Sequence, residues 1–175
     1  MKAYMTNGTL EYLEQIRDNY PAITMYFMRN NTSTTVYYED TGISVFKEAR
    51  SYTVISDRGS FQEHGYVVMT HIPVTDDGKP IFESEFKQRA DRIEKVPGFY
   101  AFRVLRPLHG NTYVLAIQWD SEQSYQVWRD SDVYNQNYGK DIKPKYRAGK
   151  SFRTIYNMVD WDEVKAEREE AENKD

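Results

Sequence analysis

Hydrophobic and polar positions alternate most clearly between Phe99 and Trp119, and the flanking segments can be read outward from there. Thr112–Trp119 places Tyr113, Leu115, Ile117 and Trp119 on one face and Val114, Ala116 and Gln118 on the other. Both faces are largely apolar, which predicts a strand covered on each side. Phe99–Arg106 predicts its hairpin partner across the turn Pro107–Asn111, and Phe99, Ala101, Val104 and Leu105 break strict alternation, the mark of a face change or bulge. Asp120, with Gln123 three residues on, predicts a helix start. Tyr125 and Trp128 then share one face of that helix, and an aromatic helix face over a sheet is in the first instance core.

Upstream, Lys2–Thr6 reads as a strand and Thr9–Tyr20 as a helix with Leu10, Leu13, Ile16 and Tyr20 on one stripe, ended by Pro21. Ile23–Met28 and Thr35–Glu39 predict a hairpin, Ile43–Lys47 a third strand, and Ser51–Asp57 either a strand or a short helix. Gly65–Val74 reads as a strand that starts a second unit. Pro80–Val96 follows as a helix with Phe82, Phe86, Ala90 and Ile93 on one face, and Ser151–Val159 is a final strand. The second unit therefore runs β-α-β-β-α-β, a ferredoxin-like order, and the first is a clipped version of the same plan. The expected class is α+β, with an N-terminal unit 1–65, a ferredoxin-like domain 66–160 and an acidic tail 161–175.

Only 39% of the 175 residues are hydrophobic, but 15 Tyr, 8 Phe and 3 Trp supply much of the buriable area. A net charge of −4 argues against general nucleic-acid binding. The absence of cysteine excludes disulfides, thiolate metal sites and cysteine nucleophiles. No apolar run approaches the roughly 20 residues of a membrane span and no signal-peptide core is present, so a cytoplasmic protein is expected. Two segments stand out by charge. Lys140–Arg153 holds six basic residues against Asp141 and reads as a solvated loop or an anion-binding one. Trp161–Asp175 holds seven acids against three bases and reads as an exposed or frayed helix. Of the three histidines, His71 follows Thr70 and so points to the opposite face of its strand, His64 precedes that strand, and His109 lies in the hairpin turn. No metal-ligand spacing, phosphate loop or nucleophile elbow occurs.

The segments GKPIFESEFKQRADRIEKVPGF (78–99), RVLRPLHGNTYVL (103–115) and YQVWRDSDVYNQ (125–136), with the shorter TLEYLEQI (9–16), resemble the antibiotic biosynthesis monooxygenase superfamily. Within it the likeness is to the two-part branch that holds the bacillus-type haem-degrading monooxygenases and the staphylococcal target of RNAIII-activating protein (TRAP). The resemblance implies an α+β barrel in which residues 1–65 take the place of a second subunit, a pseudo-dimer in one chain, either monomeric or further paired as a homodimer. Haem-degrading members use an Asn on the first strand, a Trp on the helix after the hairpin and an axial His further on. Trp128 matches the Trp, whereas Thr70 stands at the Asn position and Tyr138 at the His position. By resemblance, then, Trp128, Thr70 and Tyr138 are the candidate catalytic set. Tyr138 is the candidate ligand to haem iron, and Lys140, Lys143, Lys145 and Arg147 are candidate partners of the propionates. The two departures imply binding of haem, or of another flat aromatic small molecule, with weak or altered oxygenase activity. The alternatives are a non-catalytic TRAP-like regulatory or stress-response protein and a cofactor-free oxygenase of another flat aromatic.

Overall fold

The computed structural model describes residues 1–132, 134 and 146–174. Eight strands, β1 (Lys2–Gly8), β2 (Tyr26–Arg29), β3 (Thr34–Asp40), β4 (Arg50–Gly59), β5 (Tyr66–Pro73), β6 (Phe99–Pro107), β7 (Thr112–Trp119) and β8 (Phe152–Met158), form one closed barrel. Its order is β1-β3-β2-β8-β5-β7-β6-β4, and every neighbouring pair is antiparallel. Strands of both sequence units contribute, joined where β8 meets β2 and where β4 meets β6. Closure removes the free edges that a lone ferredoxin-like sheet exposes.

The two-faced pattern of β7 explains the layering. Val114 and Ala116 join Met5, Met28, Val67, Met69, Ala101, Leu105 and Met158 inside the barrel, where flexible thioethers fill an irregular lumen. Tyr113, Leu115, Ile117 and Trp119 face outward beneath the helices α2 (Lys79–Ile93) and α3 (Glu122–Arg129). The stripe Phe82, Phe86, Ala90 and Ile93 of α2 is buried there. On the other outer side, α1 (Leu10–Asn19) and α4 (Trp161–Asn173) cover β1, β3 and β2 through Leu13, Val164, Phe27, Val36 and Tyr38. The register of β6 slips between Phe99 and Ala101, the irregularity that its sequence predicts.

Three expectations need correction. Ile43–Lys47 is not a strand: the Val45 N–H donates to the Tyr38 hydroxyl at 2.9 Å, and Phe46 packs edge-on against Tyr38 at 5.1 Å. Side-chain anchoring there replaces a strand ladder, and the ambiguous segment after it becomes the ten-residue β4 that closes the barrel. The cap of α3 is Ser121, whose Oγ accepts from Ser124 N at 3.2 Å; Asp120 instead uses its own N–H on Gly98 O at 2.8 Å. Finally, the acidic C-terminal segment is a helix exposed along most of its length, as expected, but it is docked at its start rather than frayed. Asp160 caps it, Trp161 packs on Phe27 at 5.3 Å, and Arg29 pairs with Glu167 at 3.2 Å. Among the described residues, no helix is long and apolar enough to cross a membrane.

Candidate functional site

Alternation along β5 decides which side chains reach the outer face. Thr70 lies opposite Leu115 of β7 and Arg153 of β8, on the side covered by α3. His71 points into the lumen, where its Nε2 lies 2.9 Å from Thr154 Oγ1. The two residues therefore serve opposite surfaces of one sheet.

The Ser121 cap and the short α3 aim Tyr125 and Trp128 at that outer face. Trp128 is only 3% exposed and joins a continuous aromatic layer. Its ring lies 5.1 Å from Trp119, 6.3 Å from Tyr125 and 4.8 Å from Tyr134. Tyr134 is brought back onto the layer by the turn after α3, in which Ser131 Oγ donates to Trp128 O at 2.5 Å and accepts from Tyr134 N at 3.2 Å. Tyr66 extends the layer at 5.7 Å from Tyr125; burial first, then the charge of Glu122, pushes its hydroxyl above the usual tyrosine range. The indole N–H of Trp119 is buried with no hydrogen-bond partner among the described residues.

Arg153 supplies the charge. It donates to the hydroxyls of Tyr125 and Tyr134, each at 3.3 Å, beside Thr70 in the sheet. The sequence places Arg153 in the final strand, opposite in face to Phe152 and Thr154, but as a charge it is counted only with the basic run that it ends. Its alternation with inward-facing Phe152 and Thr154 is the signal that assigns it to the outer face. The site is thus a packed aromatic cluster, its rings inclined by 38° to 79° to one another, with the Arg153 guanidinium at its edge, a pairing of aromatic surface with positive charge.

Trp128, Thr70 and Arg153 are brought to one face. Arg147 is not beside them: it bridges Val74, about 13 Å along β5 from Thr70. Tyr138, Lys140, Lys143 and Lys145 lie outside the described residues. No histidine enters this face, since His64 contacts the Tyr100 hydroxyl at 2.9 Å, His71 is in the lumen and His109 is exposed in the β6–β7 turn. Among the described residues, no group of three or more His, Cys, Asp and Glu is placed to hold a metal ion.

Residues 65–137, which include β5, α2, β6, β7 and α3, match the antibiotic biosynthesis monooxygenase family. That stretch is an antibiotic biosynthesis monooxygenase domain. The likeness extends beyond the domain. A signal transduction protein TRAP of Staphylococcus epidermidis is 28% identical over 156 residues, covering 89% of this chain and 93% of that protein. A haem-degrading monooxygenase of Listeria monocytogenes is 27% identical over 160 residues, covering 91% of this chain and 96% of that protein. Among solved structures, that of a major regulator of staphylococcal pathogenesis superposes with a TM-score of 0.84 at 27% identity, covering 91% of this chain and all of that one. The structure of a haem-degrading enzyme from Listeria monocytogenes also superposes, with a TM-score of 0.73 at 25% identity, covering 91% of this chain and all of that one, so the barrel is shared with relatives of both kinds by name.

Proposed function

We propose that this chain binds a flat anionic aromatic ligand of the haem class between the outer face of β5–β7 and α3, and turns it over slowly. The observation that carries the reading is the placement of Arg153 beside Thr70, bonded to Tyr125 and Tyr134 at the rim of the Trp128 layer. The described residues suit the ring and carboxylates of haem: the aromatic layer would hold the macrocycle and Arg153 a propionate. They do not supply an imidazole to its iron. Tyr138 is proposed for that position as a phenolate, with Lys140, Lys143 and Lys145 lowering the cost of its charge. Haem, when bound, would supply an iron centre for dioxygen chemistry, and a phenolate from Tyr138 would favour its ferric state. Slow turnover follows from that preference.

A second reading, a regulator-like protein without haem, draws on the near-complete burial of Trp128 by the chain's own rings. Titration of the purified protein with haemin separates the two. A saturable Soret shift that weakens about tenfold in Arg153→Ala supports binding, whereas no shift favours the regulator. With ascorbate and dioxygen the wild type should degrade haem slowly, and the double change Thr70→Asn with Tyr138→His should accelerate it. Brisk degradation by the wild type would overturn the assignment of Tyr138.

A further inference from the structure

On the inner side of the same sheet, the lumen opens into a cavity of about 590 Å³. It lies at the end of the barrel where Tyr52 pairs with Pro107 and where β5 reaches His71. Its lining contains no carboxylate, and Arg50 is its one Lys or Arg. No carboxylate of the described residues pairs with Arg50. Beside Arg50, the rings of His71 and Phe152 stack in parallel, 4.5 Å apart with 3° between their planes. The contact of His71 with Thr154 fixes that stack in orientation, and Phe152 is 55% exposed, which leaves its ring accessible to a ligand. Deeper in, Tyr52 and Tyr156 are both buried. Burial raises the pKa of the Tyr52 hydroxyl, and the neighbouring Arg50 guanidinium pulls it part of the way back.

We propose that this barrel mouth is a second binding site, taking a flat aromatic carboxylate of one or two rings, with its ring against Phe152 and its carboxylate on Arg50. Guanidinium presents paired donors that match a carboxylate in plane, and a third ring laid on the His71–Phe152 stack gains aromatic contact that an aliphatic acid lacks. The cavity is within the usual size range for a small-molecule site. Burial first, and Arg50 second, depress the pKa of His71 to about 4, so its imidazole is neutral near pH 7. Arg50 is then the one guanidinium or ammonium charge of the lining, which matches a monoanion. Because His71 and Thr70 project from opposite faces of β5, this site and the face under α3 proposed for haem are separated by the sheet.

Full-length protein is titrated with 2-naphthoate, followed by its fluorescence and by calorimetry, with the uncharged 2-naphthamide as control. The acid should bind at least about tenfold more tightly than the amide, and Arg50→Gln should weaken it by a similar factor. Phe152→Ala should weaken both ligands. Since both side chains are exposed, thermal melts of these variants should stay close to wild type. Arg153→Ala, on the face under α3, should leave naphthoate binding unchanged, and Arg50→Gln should leave the haemin titration unchanged, so the two sites fail or stand separately. No binding of 2-naphthoate at about 1 mM, equal binding by Arg50→Gln, or loss on Arg153→Ala instead would overturn the proposal.

Discussion

Arg103 and Glu39 form an ion pair inside the barrel, Nε to Oε2 at 2.7 Å, linking β6 to β3 across 64 residues of chain. Arg103 also donates to the carbonyls of Arg58, Gly59 and Phe102, and Tyr37 donates its hydroxyl to the same Glu39 oxygen at 2.9 Å. Every strong donor and acceptor of the pair is thus used at the seam between the two sequence units. Arg103→Ala leaves a mostly buried carboxylate without its counter-charge and should cost about 3–5 kcal/mol. Arg103→Met combined with Glu39→Leu should cost less than Arg103→Ala, because no charge is stranded. Urea denaturation of wild type and the two variants measures this, and a double variant no more stable than Arg103→Ala would contradict it.

Trp128 is packed by Trp119, Tyr125 and Tyr134 at 3% exposure, so it is a structural member of the aromatic cluster as well as a candidate ligand contact. Trp128→Ala should destabilise the protein by about 3–5 kcal/mol through loss of burial and the cavity left behind. Trp128→Phe retains most of the packing and is the variant in which haemin affinity can be read cleanly. A melt of Trp128→Ala superimposable on wild type would show that the ring faces a ligand space rather than core.

The residues differ in how openly the sequence declared these roles. The two faces of β7, the stripe of α2 and the slip near Phe99 follow from local side-chain spacing, which the chain carries irrespective of what packs on it. Closure of the barrel is non-local: nothing in Phe152–Met158 itself specifies β2 as a neighbour, and family resemblance rather than periodicity supplied that expectation. The apolar alternation at Ile43 and Val45 misleads because the Tyr38 hydroxyl captures the Val45 N–H. Arg153 was hidden by its company, a run of lysines, although its strand parity was legible. The barrel mouth gathers Arg50, His71 and Phe152 from three strands, so no linear motif marks it.

Gly98 links the end of α2 to β6 with φ at +84°, a conformation that L side chains rarely adopt. A Cβ built there would lie 2.3 Å from Ser124 Oγ and 2.7 Å from Asp120 Oδ1, at the first turn of α3. Gly98→Ala should therefore cost about 1–3 kcal/mol, from strain and from displacement of the α3 cap. Because α3 carries Trp128, it should also weaken haemin binding at temperatures where the protein remains folded. Unchanged melting and unchanged affinity would show that α3 is not held by this contact.

His71 makes the stability of the fold depend on pH. In the barrel its pKa is lowered from the ordinary 6.5 to about 4, by burial first and by the Arg50 charge second. The unfolded chain therefore takes up a proton at this position before the folded protein does, so unfolding gains from acidification. The contribution of neutral His71 is complete above pH 6.5, is lost as pH falls toward 4, and is flat below that. Carboxylates also titrate in the lower part of this window, so the comparison is with His71→Gln: the difference in stability between the two proteins should change between pH 6.5 and 4 and be constant outside it. Proton NMR of the imidazole gives the direct check, with a midpoint near 4 that rises in Arg50→Gln as the neighbouring charge is removed. A midpoint near 6.5 in the wild type would mean that His71 is solvated, and would also remove the charge argument for a monoanion at the barrel mouth.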